Sequence, residues 1–64
     1  MTYEEIKALV TEQYNETKKR RMKCGMTEYH ADREAYLIVF GMLKAFYKVW
    51  AITDAQFSDL IAEF

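Results

Sequence analysis

The sequence predicts an all-α fold: an antiparallel helical hairpin of two long helices plus a short third helix, assembled as a dimer. Three observations lead there. Threonines stand as capping residues at positions 2, 27 and 53, each ahead of a stretch with helical apolar spacing. Proline is absent, and Gly25, one of only two glycines, falls between the first two stretches. Apolar residues recur at three- and four-residue intervals, as in Ile6, Val10, Val39, Leu43, Leu60 and Phe64, and never in strand-like alternation.

Helix 1 is predicted over residues 2 to 24. Thr2 and Glu5 form a capping box in which each side chain meets the other's backbone amide, and Met1 and Ile6 occupy the positions of a hydrophobic staple. Gly25 ends the helix by taking a left-handed conformation that a side chain would resist. At 100° per residue, Tyr3, Ile6, Val10, Gln13, Tyr14, Thr17 and Cys24 share one broad stripe, with Leu9 on its edge.

Helix 2 is predicted over residues 27 to 50, capped by Thr27 with Glu28 favourable in its first turn. Its polar side is a narrow strip of His30, Arg33, Glu34, Lys44 and Lys48. Tyr36, Ile38, Val39, Phe40, Met42, Leu43, Phe46, Tyr47, Val49 and Trp50 cover the rest, an apolar arc that calls for neighbours on more than one side. Gly41 inside this helix costs about 1 kcal/mol relative to alanine, which suggests close backbone packing or a local weakness.

Helix 3 is predicted over residues 53 to 64. Thr53 and Gln56 repeat the capping box, Ile52 and Phe57 repeat the staple, and Phe57, Leu60, Ile61 and Phe64 form a one-sided apolar face. Helices 1 and 2 are nearly equal in length and joined by a short turn, so they are antiparallel neighbours. Helix 3 is about half as long and reaches only the half of the hairpin that bears Ile6, Val10, Phe46 and Trp50. The other half is left with two layers.

The chain of 64 residues is read as one domain, residues 1–64, of a size that buries roughly 60% of its unfolded surface. A lone Cys24 excludes an intrachain disulfide, which leaves self-association as the simplest supplement to stability. Hydrophobic residues at 52% and aromatics at 16% exclude disorder and make a heavy load for so small a core. The acidic start TYEEIKA has no apolar run of a leader, and a single free thiol fits a reducing compartment, so the expected location is cytoplasmic. The longest apolar run, Tyr36 to Leu43, is far short of the roughly 20 residues that span a membrane.

Charge is unevenly spread. Residues 1 to 17 have a balance of −3, residues 18 to 27 of +5, and residues 28 to 64 of −3. Lys18, Lys19, Arg20, Arg21 and Lys23 are the possible phosphate contacts if the chain binds nucleic acid. Helical angles spread them around most of the circumference, however. The competing reading is a solvated helix end, where cations meet the negative end of the helix dipole, Glu16 pairs with Arg20, and Arg20 and Arg21 meet Glu28 and Asp32 across the hairpin.

No catalytic, cofactor-binding or metal-binding residue set emerges. Cys24, His30 and Glu34 are the only grouping of ligand types, and they lack the paired spacing of a metal site. The carboxylates Glu4, Glu5, Glu12 and Glu16 lie on the polar side of helix 1, without a cleft to work in. The chain is therefore read as a non-enzyme without cofactors. Arg21, Met22, Met26, Tyr29, Tyr36, Val39, Phe40 and Leu43 gather near the open half of the hairpin and are residue types common in protein interfaces. They make up the expected interaction surface, with Tyr29, Tyr36, Val39, Phe40 and Leu43 as the dimer contact. The functional expectation is a small helical adaptor or regulatory protein acting through protein–protein interaction, the alternative being a nucleic-acid-binding dimer that uses the Lys18 to Lys23 run.

Overall fold

The computed structural model describes residues 1–64 and contains three helices: α1 (Tyr3–Lys23), α2 (Glu28–Lys48) and α3 (Asp54–Glu63). Each starts at the threonine that the sequence marks. Thr2 Oγ1 accepts from the Glu5 amide at 3.2 Å while the Thr2 amide donates to Glu5 Oε1 at 3.0 Å. Thr53 and Gln56 make the same reciprocal pair at 3.2 and 3.1 Å. Thr27 accepts from the His30 amide at 3.4 Å. These bonds satisfy amides that a helix leaves without internal partners.

Both long helices end in the same hydrogen-bonded loop. After α1, the Gly25 amide donates to the Met22 carbonyl and the Met26 amide to the Arg21 carbonyl, both at 3.1 Å, with Gly25 at φ 96°. After α2, the Trp50 amide donates to the Tyr47 carbonyl at 3.1 Å and the Ala51 amide to the Phe46 carbonyl at 2.9 Å. Here the left-handed residue is Trp50, at φ 64°. An L side chain in that region costs about 1 to 2 kcal/mol. Helix 2 thus ends two residues before the position expected from sequence, and Trp50 leaves the seam assigned to it: the loop turns its side chain outward, and it is 88% exposed.

The core sits where all three helices meet. Ile6, Val10, Val39, Leu43, Ile52 and Leu60 form one buried cluster, with Tyr3, Tyr14, Met42, Phe46, Phe57, Ile61 and Phe64 packed around it. Aromatic contacts locate α3 in one groove of the hairpin. Phe57 meets Phe40 at 6.0 Å and Tyr47 at 5.4 Å on α2, and Phe64 meets Tyr14 at 4.9 Å on α1. As expected, α3 covers the half that holds the chain termini. The two-layered half is closed differently. Ala31, Ala35 and Thr17 are all buried there, small side chains that let the two backbones approach without a third layer.

Polar contacts tie down both ends of α3. Lys7 Nζ lies 3.0 Å from Glu63 Oε1, and this carboxylate raises the lysine pKa above its ordinary 10.5. The Asp54 carboxylate beside the Tyr47 hydroxyl raises the tyrosine pKa above its ordinary 10.0. Both groups hold their protons more tightly when folded. Their contribution is therefore complete below pH about 10 and is lost as pH rises through the raised values.

Two outcomes follow from this architecture. Trp50→Gly relieves the left-handed strain at little cost in burial and should raise stability by about 1 kcal/mol, read as a higher urea midpoint; a lower midpoint would show that the indole packs on the fold. Above pH about 10 the wild type should lose stability more steeply than the double variant Lys7→Gln/Tyr47→Phe, which has neither proton to lose. Parallel alkaline curves by circular dichroism would remove these contacts from the account.

Candidate interaction surface

The surface that sequence reasoning assembled near the turn is only partly a surface. Val39 and Leu43 are completely buried in the chain's own core, because the face of α2 that meets α1 and α3 runs through them. They are unavailable to a partner in this fold, which corrects their placement on a dimer contact. Tyr36 and Phe40 are half-buried, with rings stacked at 6.3 Å, Phe57 edge-on to Phe40 and Lys44 Nζ 5.7 Å above the Phe40 ring. Met26 is half-buried in the turn. Arg21, Met22 and Tyr29 are exposed, and Tyr29 stands edge-on to His30 at 5.5 Å.

The basic run divides into two groups. Lys18 points across the hairpin, 3.5 Å from Glu28 and 3.6 Å from Asp32, and Arg21 Nε lies 3.3 Å from Glu34 Oε2. The expected roles are therefore exchanged: Lys18, rather than Arg20 and Arg21, meets Glu28 and Asp32, since the rotation of α1 turns position 18 inward. The Arg21 contact does not meet hydrogen-bond geometry, and Glu34 Oε2, covered from water, has no hydrogen-bond partner. Lys19, Arg20 and Lys23 face outward with Glu16 along a shallow hollow, and Arg20 makes no ion pair with Glu16. Cys24, placed on the apolar stripe by its helical angle, is exposed because the chain is already leaving the helix there.

Further exposed apolar groups lie outside that surface. Leu37 is 58% exposed in the middle of the polar strip, Ile38 lies beside it, and Val49 is 70% exposed next to Trp50. Gly41 and Ala45 are exposed between them and complete a line along α2 at positions 38, 41, 45 and 49. This line lies about 160° around the helix from Phe40 and Tyr47, where α3 is docked. The hairpin therefore has one filled groove and one open flank. The signal was present in the sequence as Leu37 interrupting a polar strip and as the spacing from Ile38 to Val49. It could not be read without knowing which side α3 takes.

The two surface hollows are open troughs on the outer side of α1, one along Glu4, Lys7, Thr11 and Asn15 and the other along the basic ridge. Cys24, His30 and Glu34 do not converge, and nowhere do three histidine, cysteine or carboxylate side chains come together. No helix is long and apolar enough to cross a membrane.

No family model, curated protein or solved structure matches the chain.

The division of the basic run has a measurable consequence. Lys18→Gln should cost up to about 1 kcal/mol, as removal of a partly screened ion pair does, whereas replacing Lys19, Arg20 and Lys23 together by glutamine should leave stability within about 0.5 kcal/mol. Equal losses in the two variants, measured by urea denaturation, would contradict the split.

Proposed function

We propose that the chain is a small helical interaction module, an adaptor or regulatory protein whose activity is to bind protein. The observation that carries this reading is Trp50. A bulky aromatic side chain held in a left-handed backbone conformation and 88% exposed contributes strain and little packing to the fold. Tryptophan is among the commonest anchors of protein interfaces, because it buries a large rigid area for little lost side-chain freedom. Leu37, Val49 and Tyr29 add exposed apolar area on the same long helix or at its end. A free thiol supports a reducing, cytoplasmic location for the module.

A nucleic-acid-binding dimer is the second reading, and the outward ridge of Lys19, Arg20 and Lys23 favours it. Three cations on one face can neutralise few phosphates, and Glu16 stands among them.

Affinity capture from the source cell with the wild type, Trp50→Gly and Leu37→Glu separates these readings. The module should retain a protein partner that both variants lose while keeping their helical circular dichroism. Unchanged capture by both variants would remove Trp50 and Leu37 from the binding surface. A titration of DNA duplex into the wild type should show no specific binding. Tight binding, with a salt dependence that flattens by about one unit per cation replaced, would establish the second reading instead.

A further inference from the structure

The open flank of α2 has a charge pattern that specifies its occupant. Ile38, Gly41, Ala45 and Val49 run along it, with Glu34 beyond one end and Lys48 toward the other. Glu34 and Lys48 are each seven residues from Gly41, about 10.5 Å along the axis in opposite directions. A line with an acid at one end, a base at the other and a small residue in the centre is complementary to itself when reversed. Two parallel copies would set Glu34 against Glu34 and Lys48 against Lys48. Two antiparallel copies set each glutamate against a lysine, twice over.

Gly41 fits such a crossing. A side chain added there would meet nothing within 4 Å, so packing inside the chain does not require glycine at this position. Its place in the middle of α2 lowers helix propensity without any internal gain. At a helix crossing, a missing side chain lets two backbones approach and brings the flanking Ile38 and Ala45 into contact across the seam. Glu34 Oε2 is covered and in ionic contact with Arg21 of the same chain, while the rest of the Glu34 side chain remains partly exposed at the end of the flank.

We propose that this flank is closed by a second copy of the chain, with α2 packed antiparallel on α2, crossing near Gly41 and bounded by Glu34–Lys48 pairs between the copies. The inference rests on the reading of the chain as an interaction module and names one partner of it. It uses a different line of residues from the Tyr29, Tyr36, Val39, Phe40 and Leu43 contact expected from sequence. It also separates the two basic runs: an antiparallel α2 pair puts the two hairpin turns at opposite ends of the dimer, so Lys19, Arg20 and Lys23 of the copies do not combine on one face. The seam from Glu34 to Lys48 is only about 21 Å long, which places it among small interfaces, with a dissociation constant on the order of tens of micromolar.

Sedimentation equilibrium of the full chain over a dilution series tests the proposal. The wild type should pass from dimer to monomer on dilution. Gly41→Leu, which has room in the monomer and improves helix propensity, should be monomeric at every concentration with an unchanged helical spectrum. Glu34→Lys and Lys48→Glu, both at partly or fully exposed positions, should each weaken association by about tenfold, and the double variant carrying both exchanges should recover it to within about threefold. A wild type that stays monomeric at about 1 mM, well above the expected constant, overturns the dimer. That result leaves the module reading standing, whose own failure is a wild type that retains no protein partner in the capture experiment. A dimer that survives Gly41→Leu belongs to another face and overturns the seam. A double charge exchange that does not recover association overturns the antiparallel orientation.

Discussion

The contact between α1 and α2 is the constraint on which the rest of the chain depends. Two helices of equal length must stay together over their whole run, yet α3 is long enough to cover only one half. The chain meets this with two kinds of packing along one seam. Beside α3, Val10, Val39 and Leu43 fill a three-layered core with Ile6, Ile52 and Leu60. Toward the turn, Thr17, Ala31 and Ala35 let the helices draw together, so no third layer is needed. Lys18 with Glu28 and Asp32 then closes the rim of the narrow half. These exposed pairs contribute little each, and they matter more for register than for stability.

So small a core leaves the chain with little stability in reserve, which gives meaning to its two unfavourable local choices. Gly41 weakens the middle of α2, and Trp50 strains the end of it, and neither is compensated by contacts inside the chain. Both lie outside the three-helix core, close to the exposed apolar groups Ile38 and Val49. Local features that oppose folding and coincide with exposed apolar surface are where binding is expected to recover what folding gives up. Gly25 makes the contrast. It holds the same left-handed conformation as Trp50 at the end of α1, and there glycine is simply the residue that fits.

The helices were legible because their signals are local. A threonine followed by Glu5 or Gln56, or a glycine after a periodic stretch, acts within one turn of the backbone and needs no knowledge of the rest. The division between core and exposed apolar surface was not legible in the same way. Val39 and Leu43 have the same apolar character as Leu37 and Ile38, and a wide apolar arc on a helical wheel does not say which part another helix will cover. The exchange of Lys18 for Arg20 and Arg21 opposite Glu28 and Asp32 has the same origin: a modest rotation of α1 decides which cation faces inward.

By itself, the sequence determined three helices, their caps, the antiparallel turn at Gly25 and the half of the hairpin that α3 covers. Each of these follows from hydrogen bonds between near neighbours in the chain or from the lengths of the segments. Only the tertiary structure decided which groove α3 fills, and with it which apolar residues are core and which remain exposed. That choice depends on how Phe57, Leu60 and Phe64 fit against side chains distant in sequence, and packing of that kind has no local signature. The same choice set the outward position of Trp50, because the loop from Lys48 to Thr53 had to deliver Ile52 to the core and turn the indole away from it.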